Sequence, residues 1–184
     1  MNERTPLQED VQQSHSRIYH LSWDVLSDLI ATLVRNIQVD GAPQIIVGIQ
    51  RGGLIPAVML SHQLGTQTVL SLPIRSTTSD AVYASKLPPV AVPQDLFQQV
   101  TGRDIVVADD IVGSGATLGA VLHLLRRYEP ARIRCATCCV NRAQWDPVNN
   151  QEPASVITYI GKELSNWVVF PWEKCVAPTP TLYH

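Results

Sequence analysis

The stretch from residue 104 to residue 118 constrains the fold of this chain more than any other part of its sequence. The apolar run 105–108 precedes two adjacent aspartates, and a loop of small residues follows them. A short apolar run of this kind is typical of a strand buried on both faces of a parallel sheet. Apolar residues then recur at helical spacing from Leu118, so the sequence predicts a strand, a tight loop and a helix.

The loop between this strand and this helix has the features of an anion site. Asp109 and Asp110 are expected at the carboxyl end of the strand, where open α/β sheets bind ligands. Small residues at 113–116 let backbone N–H groups approach a phosphate, and the dipole of the helix start favours an anion. Ser114 and Thr117 add hydroxyl donors. A plain strand-to-helix turn with solvated acids is the alternative, and the combination of features makes it the weaker interpretation.

Strand and helix patterns alternate along the rest of the chain. The predicted elements are a helix over 23–37 capped by Ser22, with Trp23 on its apolar stripe, a strand over 44–49, a helix over 54–63, and strands over 68–74, 133–140, 156–160 and 167–170. Residues 75–102 show weak periodicity, with only 95–100 helical in pattern, and a loop this long is expected to cover a site. The alternation predicts a single α/β domain with a parallel sheet flanked by helices.

Composition is that of an ordinary one-domain globular protein. The chain has 184 residues, of which 45% are hydrophobic and 16% charged, enough for a core that needs no disulfides. No apolar run approaches the roughly 20 residues of a membrane span, and residues 1–17 are too polar for a signal peptide. We therefore expect a cytoplasmic protein with no membrane contact, a flexible N-terminal extension over 1–17 and one domain over 18–184.

Charge argues against a nucleic-acid partner. The formal net charge is -2 and the pI is about 6.2, so no broad basic surface is expected. One basic cluster stands out, and its four members are Arg126, Arg127, Arg132 and Arg134. These arginines flank a helix end and a strand start, which predicts solvated charges at element ends.

Three of the four cysteines lie close together, at Cys135, Cys138 and Cys139. This spacing invites a metal-site interpretation, but a structural zinc site needs a second pair of ligands at defined spacing, and the sequence lacks one. Small buried thiols in the core of a strand are the favoured interpretation.

A second loop with anion-binding features follows the first predicted strand. Residues 50–53 read Gln-Arg-Gly-Gly and precede a helix. The glycines let backbone N–H groups approach an anion, and Arg51 supplies a fork of donors that matches phosphate oxygens. Arg-Gly-Gly is common in turns, so the motif alone does not indicate an anion site. Its expected position beside the acid pair in the predicted sheet is what favours that interpretation.

These two loops, together with residues 21–26 and 166–173, resemble the type I phosphoribosyltransferases, in particular the xanthine, guanine and hypoxanthine branch. The similarity runs from about residue 19 to 173. It implies the fold of that family, with a parallel twisted sheet flanked by helices and a small C-terminal hood near 156–175. It also implies transfer of the 5-phosphoribosyl group of phosphoribosyl pyrophosphate (PRPP) to a purine or purine-like base in purine salvage, Mg²⁺ as cofactor, and a homodimer or homotetramer.

The resemblance assigns the donor half of the site residue by residue. It implies that Asp109 and Asp110 meet the ribose hydroxyls and that Arg51 acts with them in catalysis. The residues implied to hold the 5-phosphate are Val112, Gly113, Ser114, Gly115, Ala116 and Thr117. Those implied to hold pyrophosphate are Gln50, Arg51, Gly52 and Gly53, in a loop that in the family often contains a cis peptide, here Gln50–Arg51.

The resemblance also assigns the acceptor and metal residues. Trp167 is implied to stack on the purine, the backbone at Val168 to read the ring edge, and Asn141 to lie near the base. Asp109, Asp110 and Glu173 are implied to hold metal. The alternative interpretation is that Trp167 is a core aromatic residue that packs at the sheet edge.

Three positions depart from the pattern of the branch. Gly113 stands where an aspartate near the purine N7 is usual, Asn141 where a lysine is usual, and Val169 where an acid can read a 2-amino group. Glycine cannot accept a proton, whereas the asparagine amide offers both a donor and an acceptor. Two alternatives therefore stay open: a PRPP-binding regulatory protein without transferase activity, and a transferase for a modified or non-oxo base.

Overall fold

In the computed structural model the described residues are 18–73, 98–145 and 151–173. Within them, in chain order, the elements are β1 (Ile18–His20), α1 (Trp23–Val39), β2 (Ile45–Ile49), α2 (Leu54–Leu64), β3 (Thr68–Leu72), β4 (Asp104–Val112), α3 (Ala116–Arg126), β5 (Arg132–Asn141), α4 (Pro153–Val156), β6 (Tyr159–Leu164) and β7 (Trp167–Val169). The predicted N-terminal extension and nearly all of the predicted loop over 75–102 lie outside the described residues. No helix in the described ranges is long and apolar enough to cross a membrane.

Five strands form one parallel sheet in the order β3-β2-β4-β5-β6. Alternate residues of its central strands face opposite sides, as the twofold periodicity of a strand requires. Ile46 and Val106 pack with the buried residues of α1 and α2, whereas Val47 and Val107 pack with those of α3. The predicted fold class, a parallel sheet flanked by helices on both faces, is confirmed.

Helix α1 begins where the capping pattern predicts. The Ser22 side chain accepts a hydrogen bond from the Val25 N–H at 3.2 Å, which satisfies one of the free donors of the first turn. The apolar stripe is buried except at its first member. Trp23 is 53% exposed, and its ring lies 5.9 Å from that of Trp172. The prediction that Trp23 belongs to the buried stripe was therefore wrong: its ring lies on the surface and contacts Trp172 rather than the sheet.

The C-terminal elements differ from their predicted bounds. The apolar run 156–160 was predicted as one strand, but α4 ends at Val156 and β6 begins only at Tyr159. Pro153 suits the first helical turn because that position needs no N–H donor. Strand β6 joins the edge of the large sheet. Strand β7, in the region where the hood is expected, pairs in parallel with β1, a three-residue strand that the sequence pattern missed.

The clustered cysteines are free thiols in the core, as the sequence favoured. Cys138 and Cys139 are fully buried and Cys135 is 4% exposed. Burial raises the pKa of Cys135 and of Cys139 to about 12, so both stay protonated thiols near neutral pH. The described part of the chain brings no three His, Cys, Asp or Glu side chains together as a metal cluster.

The prediction that the arginine cluster is solvated was wrong for Arg134, which is only 2% exposed. Its guanidinium donates to both carboxylate oxygens of Asp104, at 3.2 and 2.8 Å, and to the Gly41 carbonyl at 2.9 Å. It also donates to the Tyr159 hydroxyl at 3.0 Å, which in turn donates to Asp40 at 2.6 Å. Arg134 thus ties α1, β4, β5 and β6 together at the end of the sheet where the strands begin.

Replacing Arg134 with methionine should lower the free energy of unfolding by about 3 kcal/mol. That is the lower end of the range for breaking a buried ion pair, because Asp104 stays 26% exposed and is partly solvated once its partner is gone. Methionine keeps the volume of the buried stem, so the loss reports the guanidinium contacts. Urea denaturation measures it.

Arg132→Met is the matched control. Arg132 lies two residues earlier on β5, is 45% exposed, and reaches Asp40 and Asp104 at 3.8 and 4.0 Å. Exposed pairs of this kind contribute about 1 kcal/mol at most. Equal losses for the two variants would contradict a structural role special to Arg134.

Candidate active site

The acid pair lies where β4 extends beyond the end of its pairing with β2. The ladder between β2 and β4 ends at the pair Gly48–Ala108, whereas β4 continues beside β5 as far as Val112. The sequence suggested that Asp109 and Asp110 come just after the strand, but both lie inside β4. On the β2 side, the backbone after residue 108 is left open for the loop that follows β2.

The loop 50–53 occupies that open edge. A Cβ atom on Gly53 would meet the Ala108 carbonyl oxygen at 2.6 Å, the Ile49 carbonyl oxygen at 2.7 Å and the Asp109 Cα at 3.0 Å. These are all backbone atoms, so only glycine fits at this position. A Cβ atom on Gly52 would overlap the carboxylate of Asp110. The loop thus lies directly against the acid pair.

The start of the loop is fixed to β3. The Gln50 N–H donates to the Leu72 carbonyl at 2.9 Å, and the Gln50 side-chain amide donates to the Ser71 hydroxyl at 3.0 Å. The Gln50–Arg51 peptide is cis, as the resemblance implied. From this anchored residue the chain turns into α2, which leaves Arg51 exposed beside the acids.

The loop after β4 turns into α3 through Gly115. This residue caps the helix with φ +82°, in the left-handed region that favours glycine. The Ala116 N–H donates to the Ser114 hydroxyl at 3.4 Å. The first-turn N–H groups of α3 have no carbonyl partners within the helix, and together with its dipole they suit an anion, as predicted.

The two loops and the acid pair line one cavity of about 720 Å³. Its lining comes from the ends of β2 and β4, from the turn after β3, and from the start of α3. The predicted donor-half residues on this lining are Gln50, Arg51, Gly52, Asp109, Asp110, Val112, Gly113, Ser114, Gly115 and Thr117. Gly53 and Ala116 lie just outside it, in the backbone of the same two loops.

A second cavity of about 450 Å³ adjoins the first and shares Arg51, Gly52 and Asp110 with it. Trp172 and Glu173 line its other side. The Trp172 ring stacks on Phe170 at 4.7 Å, and the Glu173 carboxylate accepts from the Phe170 N–H at 2.9 Å. The turn after β7 thereby brings a third carboxylate toward the acid pair.

Negative charge is concentrated and partly desolvated at this point. Burial, and then the charge of Asp110, raise the pKa of Asp109 well above its ordinary value. Burial also raises the pKa of Asp110, with a further contribution from the charge of Glu173. A bound cation or a set of hydrogen-bond donors would favour the ionised forms of both aspartates.

The donor set fits a magnesium ion in part. Its atoms are carboxylate oxygens, which Mg²⁺ prefers, and this ion commonly binds through one or two carboxylates with water and substrate phosphates as its other ligands. The described residues hold no cluster of three ligating side chains, so the protein alone does not complete such a site.

The three residues assigned to the base do not line either cavity. Asn141 is 3% exposed, and its side-chain oxygen accepts from the Ala143 N–H at 3.1 Å while its amide donates to the Asn166 carbonyl at 3.4 Å. Trp167 is 57% exposed on β7, which suits a stacking role better than a core role, and Val168 is buried. Their roles toward a base stay predictions.

Two residues near the site were missed by sequence reasoning. Gln144 and Trp145 follow β5 and lie over the loop after β4. The side-chain oxygen of Gln144 is 2.8 Å from the place of a Cβ atom on Gly113, and the Trp145 ring is 3.0 Å from that of Gly115. The only sequence signal was an aromatic residue in an otherwise polar loop.

A sequence profile of the phosphoribosyl transferase domain matches residues 14–177. The chain belongs to the phosphoribosyltransferase family. The xanthine-guanine phosphoribosyltransferase of Cereibacter sphaeroides is 27% identical to it over 178 residues, which cover 94% of this chain and 92% of that protein. The hypoxanthine phosphoribosyltransferase of Escherichia coli K12 is 27% identical over 119 residues, which cover 61% and 62% of the two chains.

Solved phosphoribosyltransferase structures share this fold. The purine phosphoribosyltransferase from Pyrococcus horikoshii superposes with a TM-score of 0.71 at 26% identity, covering 88% of this chain and 98% of that one. The xanthine-guanine-hypoxanthine phosphoribosyltransferase of Helicobacter pylori has a TM-score of 0.63 at 23% identity, covering 85% and 94%. The latter likeness supports the fold alone.

Replacing Gly53 with alanine should destabilise this phosphoribosyltransferase by about 1 to 3 kcal/mol. The added methyl group would meet two carbonyl oxygens and a Cα atom, none of which can move without shifting β2 or β4, and overpacking of this kind has such a cost. Chemical denaturation measures the loss.

Gly119→Ala is the matched control, because no atom lies within 4 Å of its Cβ position on the exposed face of α3. This change should stabilise the protein by up to about 1 kcal/mol through helix propensity. A Gly53→Ala variant as stable as Gly119→Ala would contradict the close packing of loop 50–53 on β4.

Proposed function

We propose that this phosphoribosyltransferase transfers the 5-phosphoribosyl group of PRPP to a ring nitrogen of a purine base. The bond between the ribose C1 and a pyrophosphate oxygen breaks, and pyrophosphate leaves with the electron pair. A bond forms between C1 and the base nitrogen, which loses its proton. The substrate class follows the relatives, whose names include xanthine-guanine and hypoxanthine phosphoribosyltransferases.

One observation carries this proposal. A single cavity is lined by Gln50, Arg51 and Gly52, by Asp109 and Asp110, and by Gly113, Ser114, Gly115 and Thr117. PRPP carries the matching groups: a pyrophosphate, a ribose with free hydroxyls, and a 5-phosphate. The site therefore has one anion-binding loop for each charged end of the donor and two acceptors for its hydroxyls.

The residues act mainly by positioning. Arg51 and the N–H groups of its loop hold the leaving pyrophosphate, while Ser114, Thr117 and the start of α3 hold the 5-phosphate. Fixing both ends leaves C1 in one orientation, which removes much of the entropic cost of bringing donor and base together. Asp109 and Asp110 accept from the ribose hydroxyls and place negative charge near C1 as it becomes cationic.

Magnesium dependence is part of the proposal. Asp109 and Asp110 would hold the ion together with substrate oxygens, and Glu173 faces the same space across the second cavity. When bound, the ion supplies charge neutralisation for the leaving pyrophosphate. It would also offset the repulsion that raises the pKa of both aspartates.

The absence of a side chain at Gly113 favours slow transfer or a shifted acceptor. Where the branch usually has an aspartate near the purine N7, this chain has no group that can accept a proton. General-base assistance typically contributes about a hundredfold to ten-thousandfold to a rate. An acceptor that loses its proton easily would be transferred with the smallest penalty.

The test is turnover with PRPP and Mg²⁺, with nucleotide and pyrophosphate measured by mass spectrometry. Hypoxanthine, guanine, xanthine and the non-oxo base adenine serve as acceptors. We expect equal amounts of nucleotide and pyrophosphate from at least one base, and no product after chelation of the metal. Binding of PRPP without product from any base would contradict the proposal and favour a regulatory protein.

Arg51→Ala should lower kcat/KM for PRPP roughly ten- to a hundredfold in the same assay. Loss of a charged hydrogen-bond partner to an anion has an effect of this size. The control is Arg35→Ala, an exposed arginine of α1 that donates to the Thr32 hydroxyl, which should leave turnover unchanged. Equal effects of the two changes would contradict the assignment of Arg51 to the PRPP site.

A further inference from the structure

The side chain of Gln144 lies in the place that a side chain at position 113 would take. Its Oε1 atom is 2.8 Å from the Cβ position of Gly113 and its Cδ atom is 3.8 Å away. Gly113 lines the large cavity, and Gln144 itself is not among the residues that line it. A carboxamide from a neighbouring strand end therefore lies against Gly113, next to the cavity, in space that the glycine leaves.

The turn after β5 holds Gln144 there. The backbone carbonyl of Asn141 accepts from the N–H groups of Gln144 at 3.1 Å and Trp145 at 3.0 Å, while its side-chain oxygen accepts from that of Ala143. The Trp145 indole N–H donates to the Gln151 carbonyl at 2.9 Å, and its ring packs against Gly115. Gln144 thus lies between two anchored residues.

The carboxamide of Gln144 is available for a ligand. Within the described residues no hydrogen bond engages it, whereas the amide of Asn141 is occupied on both sides. A carboxamide has two donors and one acceptor and carries no charge. It suits the mixed donor and acceptor edge of a neutral heterocycle better than it suits a phosphate.

We propose that Gln144 contacts the acceptor base and determines which purine edges this enzyme accepts, with Asn141 as the residue that positions its turn. The inference rests on the proposed function, because it takes the space beside Gly113 to be on the acceptor side of the donor site. It assigns to Gln144 recognition of the base and no transfer of a proton.

The experiment compares nucleotide and ribose 5-phosphate binding by calorimetry. The quantity measured is the ratio of the affinity for IMP, GMP or XMP to the affinity for ribose 5-phosphate. This ratio isolates the contribution of the base. Gln144→Ala should reduce this ratio about three- to tenfold for at least one nucleotide, as loss of neutral hydrogen bonds predicts, and leave ribose 5-phosphate affinity unchanged. Gln38→Ala, an exposed glutamine of α1, should change neither quantity.

Gly113→Ala gives an independent test without touching Gln144. Its methyl group would displace the far end of the Gln144 side chain, so it should reduce the same ratio, and the double variant should lose no more than Gln144→Ala alone. Additive losses would overturn the proposal. So would an unchanged ratio in Gln144→Ala, an equal loss for ribose 5-phosphate, or a wild type that binds no nucleotide more tightly than ribose 5-phosphate.

These measurements need no turnover. If the wild type forms no nucleotide from any base, the proposed function fails, while the binding ratio still shows whether Gln144 contacts the base.

Discussion

The parallel pairing of β2 with β4 stops at Gly48 and Ala108, and the rest of the site depends on that stop. Beyond it, the open edge of β4 takes up the loop that follows β2, at a distance that only a glycine at position 53 allows. The same arrangement puts Arg51 beside Asp109 and Asp110, and within the described part of the chain no salt bridge holds it there. Backbone packing thus builds the contact between loop 50–53 and the acid pair.

Without a ligand, the charges of the site are arranged unfavourably. Two adjacent carboxylates are held largely out of solvent, and a third faces one of them across a small cavity, so burial and repulsion both disfavour full ionisation. The N–H groups of two loops and the guanidinium of Arg51 lie a short distance away and suit an anion. Under the proposed function, PRPP with a cation would supply opposite charge to both halves at once.

The sequence predicts those parts of the fold that depend on local pattern. The apolar run before Asp109, the Ser22 cap and the small-residue loop each carry their own period or capping signal, and the structure has them at the predicted places. Strand β1 is too short to show a period, and its pairing with β7 joins distant parts of the chain. The burial of Arg134 and the position of Gln144 over Gly113 likewise depend on contacts between strand ends, which no local pattern encodes. The sequence therefore predicted that the two loops and the acid pair lie together, whereas it missed the contact of Gln144 with Gly113.

A crystal structure of the protein with PRPP and Mg²⁺ tests the central claim most directly. The account predicts the 5-phosphate within about 3 Å of N–H groups and hydroxyls of residues 113–117, the pyrophosphate against Arg51 and its loop, and the ribose hydroxyls facing Asp109 and Asp110. Pyrophosphate bound at the start of α3, or a ribose turned away from both aspartates, would contradict it.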